Sequence, residues 1–303
     1  FGWLPIQVGN PPEWHWDHLA RVNRRLNLPG TKCDHRAQPG GADIKLVWEP
    51  NRWFQLVRLA QAAWILRDSK AGETCLAWLE NWVAENAPYR GLNLTSGLET
   101  GMRLVNFCWI DAMLAASGVE ESRLLALRRA ILPPHIHYTW RFRSFGSSAN
   151  NHLLGELAGV ILALCRWPAL ESISTPIASA QALWEKESLL QFAADGGNKE
   201  QALGYHLYSW EFCWQTMAAL ANSGRTCSPE VVSRIHAAAD FYADLKPPLD
   251  PWDYGDSDNA FVTPFFADEG RAAEEWRRWF VDPEASPSIQ WWWSRHPIPE
   301  SSA

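Results

Sequence analysis

The chain has 303 residues, of which 47 % are apolar and 20 % charged, with a formal net charge of −7. That is a globular composition with ample material for a core, and mild acidity without a Lys/Arg cluster argues against a nucleic-acid partner. No apolar run approaches the ~20 residues that a membrane span needs, so no membrane partner is expected either.

An anionic glycan stays open as a partner, because a few Arg inside a cleft outweigh a distant negative surface. The six Cys, at 33, 75, 108, 165, 213 and 227, show no CxxC and no Cys/His cluster at metal-ligand spacing. Cys75, Cys108, Cys165 and Cys213 fall in apolar helical stretches and are expected as buried thiols. No disulfide framework, metal or cofactor is expected. The 20 Trp are expected mostly to fill space between large helices. Trp14, Trp16, Trp48, Trp53, Trp210 and Trp252 stand beside polar motifs and are the candidates for stacking on sugar rings.

The chain opens Phe-Gly-Trp-Leu-Pro, without Met, a basic n-region or an apolar h-region, so no signal peptide is expected within it. Strand signals are nearly absent. Helical periodicity predicts helices over 51–68, 73–86, 97–117, 120–132, 149–166, 177–193, 200–222, 228–245 and 268–281. The breakers at 68–72, 117–120 and 222–225 are short and polar, which makes antiparallel hairpins. Residues 246–267, rich in Pro and Asp, are expected as a loop at a cleft rim. Residues 282–303, with four Pro, are expected as a tail or linker.

Arg52, Arg103, His152, Tyr205 and Tyr254 are separated by 51, 49, 53 and 49 residues, a period that suits stacked helical hairpins. The fold class expected is all-α, an incomplete (α/α) toroid over residues 1–281. Alternate helices would then present their N-termini, with their positive dipole ends, on one face suited to an anion.

Four polar motifs sit near predicted helix starts. Trp48-Glu49-Pro50-Asn51-Arg52 puts a carboxylate, an amide and a guanidinium together, and Glu99 with Arg103 repeats that chemistry at i,i+4. Structural pairing and substrate contact are both open for Glu49, Asn51, Arg52, Glu99 and Arg103, since Arg offers a planar fork for a carboxylate or sulfate. Asn150-Asn151-His152 begins a predicted helix, and capping accounts for one Asn but not for both and the His. Asp195-Gly196-Gly197-Asn198-Lys199-Glu200 then leads to Tyr205 and His206, 53 residues after the first His. An amide to neutralise a sugar carboxylate, an imidazole and a phenol to move the proton are what β-elimination on a uronic acid requires. Further on, Tyr254-Gly255-Asp256-Ser257-Asp258 is acidic but lacks the spacing of a calcium loop.

These motifs, from about 45 to 260, resemble in order and spacing the helical domain of the heparinase II/III-like polysaccharide lyases, which include oligoalginate lyases. The resemblance implies an incomplete toroid followed by an antiparallel β-sandwich. It also implies Asn151 as carboxylate neutraliser, His152 as its assistant and Tyr205 as Brønsted acid and base. Asn150, Glu200, His206, Tyr254 and Asp256 become candidate substrate contacts beside the five residues of the first two motifs. An acidic polysaccharide or oligosaccharide is the implied partner, and a periplasmic or secreted location the implied setting. Two departures stand out. Asn198-Lys199-Glu200-Gln201 replaces the His-Phe-Glu-Arg frequent in the family, and no strand-rich second half follows. The expectation is thus the toroid domain of a larger lyase or a reduced relative. The alternatives are a non-catalytic acidic-glycan module and a glycoside hydrolase pairing Glu200 with Asp256 or Asp258, which would need carboxyls about 5–9 Å apart.

Overall fold

The structure is a computed structural model that describes residues 9–36, 43–245, 254–256 and 262–264. It is all-α, with one two-residue antiparallel ribbon, β1 (Trp16–Asp17) and β2 (Val22–Asn23). The helices are α1 (Ile44–Asn51), α2 (Phe54–Ile65), α3 (Ser69–Glu85), α4 (Gly97–Ser117), α5 (Glu121–Arg141), α6 (Asn151–Arg166), α7 (Ile177–Gln191), α8 (Leu203–Asn222) and α9 (Pro229–Leu245). The helix expected over 268–281 and the tail at 282–303 lie outside the described residues.

The chain forms two compact units, Phe1–Arg143 and Ser144–Ala303. In the first, α2 packs on α3 and α4, and α5 packs on α3 and α4. Arg52, just before α2, meets Glu99 in the first turn of α4 at 2.7 Å, and Arg67, just after α2, reaches the Ala116 carbonyl near the end of α4 at 3.4 Å. The two helices therefore run parallel and pack on each other, and α3 is the antiparallel return that connects them in sequence. Asp43 and Asp68 start α1 and α3 by accepting the backbone N–H of Lys45 and Ala71. Gly118, in the left-handed region at φ 79°, stops α4. Two helix bounds differ from expectation. A separate α1 precedes Trp53, whose φ of 68° breaks the helix predicted to run through it. The Pro133-Pro134 pair does not end α5, because Ile131, Leu132, His135, Ile136, Tyr138 and Thr139 around it are all buried. Burial of side chains of this size, worth about 1.5–3 kcal/mol for each large apolar one, outweighs the lost helix hydrogen bonds.

The second unit repeats the plan. Glu200, just ahead of α8, touches Asn151 at the start of α6, and Ser223 Oγ, at the end of α8, lies 3.5 Å from Cys165 Sγ at the end of α6. So α6 and α8 are parallel, packed on each other, with α7 and α9 as the returning outer helices. Every residue from Leu153 to Leu164 of α6 is buried, as suits a helix apolar on all sides. Cys75, Cys108 and Cys213 are buried as expected, whereas Cys165 is half-buried.

Candidate functional site

The parallel run of α6 and α8 puts two helix N-termini at one end of the second unit, and the loop before α8 ties them together. That loop is tight. Ala193 N–H donates to the Gly197 carbonyl at 2.8 Å and Gly196 N–H to the Ala193 carbonyl at 2.9 Å. Gly196 sits at φ 93°, and a Cβ there would fall 2.1 Å from the Ala237 carbonyl oxygen of α9. Gly196→Ala should therefore lower stability by well over the ~1 kcal/mol of an ordinary positive-φ glycine, read as a drop in melting temperature. Asn198 Oδ1 accepts the Glu200 N–H at 2.8 Å, which turns the Glu200 side chain toward α6. Gln191 Nε2 and Lys199 Nζ both donate to the Ala149 carbonyl, at 2.7 and 3.3 Å, and hold the start of α6 against the loop.

Asn150 is the N-cap. Its Oδ1 accepts the His152 N–H at 3.2 Å, and its Nδ2 reaches Glu200 Oε2 at 3.3 Å. Asn151 is the first residue of α6 and is buried. Its Nδ2 lies 2.9 and 2.8 Å from the two Glu200 oxygens, and its backbone N–H donates to Glu200 Oε1 at 3.1 Å. A carboxylate at that point also faces the positive end of the α6 dipole. His152 and Tyr205 are each half-buried, in the first turns of α6 and α8. Glu156, one turn below His152, is fully buried and accepts both the Ser144 N–H and hydroxyl at 2.7 Å, so it secures the entry to α6.

His206 is placed differently from the expectation of a substrate contact. It is 2 % exposed, lies flat against Phe241 and Tyr242, and donates through Nε2 to the Ala238 carbonyl at 2.7 Å. It is a wedge between α8 and α9. Burial pulls its pKa down to about 4, against the partial support of that carbonyl. The folded protein thus resists protonation that the unfolded chain accepts near pH 6.5, so this stabilising difference is intact above pH 6.5 and lost as pH falls to 4. The unfolding free-energy difference between the protein and a His206→Asn variant should shrink by about 3 kcal/mol between pH 7 and 4.

Residues 254–256 cross the start of α8. The Tyr254 carbonyl accepts the Leu203 N–H at 2.8 Å, and a Cβ on Gly255, at φ 79°, would meet the Gln201 carbonyl at 2.6 Å. Tyr254 is half open at 49 % and Asp256 is exposed, so both stand at the surface beside the start of α8. A cavity of about 250 Å³ opens here, lined by Asn198, Gln201, Leu203, His206, Phe241 and Tyr254. Asp258 lies outside the described residues.

The candidates of the first unit form a buried polar network of their own. Arg52 grips Glu99 through Nε and Nη2 at 2.9 and 2.7 Å and reaches Glu49 through Nη1 at 2.6 Å. Burial raises the Glu49 pKa, the Arg52 charge lowers it, and Glu99 raises it further. Asn51 has no exposed surface. It donates to the Trp14 and Val47 carbonyls at 2.7 Å and accepts from Trp82 Nε1 and Asn93 Nδ2 at 2.7 and 3.0 Å. Arg103, fully buried, donates to His135 Nε2 at 2.9 Å and to the Asn93 carbonyl, and lies over the Trp82 ring. Burial lowers the Arg103 pKa to about 10 and that of His135 to about 3. Substrate contact is thereby replaced by a structural role for Asn51, Glu99 and Arg103, which are 1 % exposed or less and whose hydrogen bonds run to groups inside the unit; Arg103 Nη1 makes none among the described residues. Asn93 and His135 complete this network and gave no signal in the sequence. Trp14, Trp53 and Trp210 are likewise buried, 2 % exposed or less, and offer no face to a ring; Trp252 lies outside the described residues.

Among the described residues no cluster of three or more His, Cys, Asp or Glu could hold a metal ion, and no helix is long and apolar enough to cross a membrane.

The chain is mostly helical and matches the helical fold of heparinase III. Two solved structures carry it. A heparinase III gene product matches with a TM-score of 0.55 and 17 % identity over 96 % of this chain and 47 % of its own. A heparinase III gene product with methylated lysines matches with a TM-score of 0.53 and 17 % identity over 96 % of this chain and 48 % of its own. The chain spans about half the length of the structures it matches. No protein-family profile matches the chain, and no curated protein sequence does.

Proposed function

We propose that this chain is the helical catalytic domain of a polysaccharide lyase that cleaves a uronic-acid-containing polymer by β-elimination. The observation that carries this reading is the joining, in a heparinase III fold, of two parallel helix N-termini bearing Asn151-His152 and Tyr205. In the proposed reaction the Asn151 amide hydrogen-bonds the uronate carboxylate and spreads its charge, which acidifies the C5–H. Tyr205, as phenolate, takes that proton; the C5 electron pair forms the C4–C5 double bond, the C4–O bond breaks, and the proton passes to the leaving oxygen. The products are a 4,5-unsaturated uronyl end and a free hydroxyl. An ordinary Tyr, with a pKa of about 10, needs a cationic or hydrogen-bonding neighbour to serve as base near neutrality. His152, next to Asn151 in the first turn of α6, takes that role here.

A donor aimed at developing charge is worth about 10²–10³ in kcat, so Asn151→Ala should slow elimination by that factor. The test incubates the protein with uronate polymers and follows the ultraviolet absorbance of the unsaturated product. Rising absorbance that Asn151→Ala suppresses supports the lyase; reducing sugar released without a double bond would replace it with a hydrolase. A second reading, an acidic-glycan-binding module without turnover, draws on the engagement of the Asn151 amide by both Glu200 oxygens. Binding of acidic oligosaccharide without product would favour it.

A further inference from the structure

We infer that Glu200 is the positioning residue of the site: its carboxylate fixes the Asn151 amide so that one N–H stays directed at the sugar carboxylate, an inference that rests on the lyase reading of Asn151. The four contacts come from both side-chain amides and one backbone N–H. They are Asn150 Nδ2 at 3.3 Å, Asn151 N at 3.1 Å, and Asn151 Nδ2 at 2.9 and 2.8 Å to the two oxygens. A carboxylate only accepts, so the nitrogen end of the Asn151 amide must face it, and the amide cannot be flipped. The two oxygens of one carboxylate lie on the same side of that nitrogen, so a single N–H, shared between them, satisfies both. The second N–H of the planar amide points about 120° away, and among the described residues no acceptor takes it. The backbone N–H contact anchors Glu200 to the first turn of α6 itself, so the amide is held relative to the helix rather than to a mobile loop.

This differs from a substrate contact for Glu200. Both its oxygens are already engaged, and a free carboxylate beside an acidic sugar would repel it. Its value is that of preorganisation: a donor held in place before the charge develops needs no reorientation when it does. A strained residue adjoins these contacts. Gln201 adopts a left-handed φ of 54°, strained for a residue with a side chain, directly after the residue whose carboxylate is clamped.

The test is a double-mutant cycle between Glu200 and Asn151, read first as binding so that it does not depend on turnover. In a Tyr205→Phe background, alginate, polygalacturonate and heparan-type tetrasaccharides are titrated calorimetrically, and the tightest is carried through Glu200→Ala, Asn151→Ala and the double variant. We expect each single change to weaken binding about tenfold and the double change to weaken it hardly further, because Glu200 acts through Asn151. A carboxyl-reduced form of the same tetrasaccharide should lose less than threefold. In the Tyr205-containing protein, Glu200→Ala should lower kcat more than it changes KM. Glu200→Gln, which keeps the volume and one acceptor, should fall between and serves if the alanine variant unfolds. Losses that add in the double variant, equal losses for the neutral sugar, or tighter binding on removing the Glu200 charge would overturn the inference. A coupled binding cycle in a protein that forms no unsaturated product would retain Glu200 as the positioning residue and remove the lyase. No binding of any of the three probes would overturn both.

Discussion

Tyr205→Phe should leave the protein folded, with its melting temperature and oligosaccharide affinity nearly unchanged, while elimination drops by about 10²–10⁴. Only a hydroxyl is lost from a half-buried ring in the first turn of α8, so the packing of that helix against α6 and α9 should persist. Product formation measured alongside calorimetric binding separates the two outcomes. A variant that keeps full turnover would assign the proton transfer elsewhere. A variant that unfolds would make Tyr205 a packing residue.

Glu99→Ala should strongly destabilise the first unit. It removes the carboxylate that receives Arg52 through two hydrogen bonds, in a place where Glu99 is 1 % and Arg52 7 % exposed. Stranding a buried guanidinium in this way typically costs about 3–5 kcal/mol. Glu49 still reaches Arg52 Nη1 and loses the repulsion of its neighbour, which draws the cost toward the lower end of that range. Thermal denaturation should show the midpoint falling by roughly 10 °C, and Glu99→Gln, which retains one acceptor, should fall less. A shift under 2 °C would mean that the pair is solvated rather than buried.

Helical periodicity carried much of the fold. The 97–117 prediction coincides with α4, Gly97–Ser117, because one uninterrupted apolar helix ends at a glycine able to turn left-handed. Where local rules conflicted with burial, burial won: Pro133-Pro134 lies inside α5, and α1 forms despite Pro50. The candidate site was legible only as residue types. Asn150-Asn151-His152 and Tyr205 could be singled out, since capping does not require all of those groups. The contact between Asn151 and Glu200 crosses 49 residues of sequence, and no spacing rule announces it. The same limit misdirected the reading of Asn51, Glu99 and Arg103. A polar residue near a helix start looks alike in sequence whether it faces a ligand or a carbonyl. Only the fold brings Trp14, 37 residues before Asn51, and Asn93, 42 after it, against the Asn51 amide.

The most direct test of the central claim is a crystal structure of the Tyr205→Phe variant with a uronate tetrasaccharide bound. One sugar carboxylate should lie within about 3 Å of Asn151 Nδ2, on the side of the amide away from Glu200. The C5 of that ring should face the substituted position 205. A tetrasaccharide whose carboxylates all lie away from Asn151, or a ring whose C5 turns away from position 205, would contradict it.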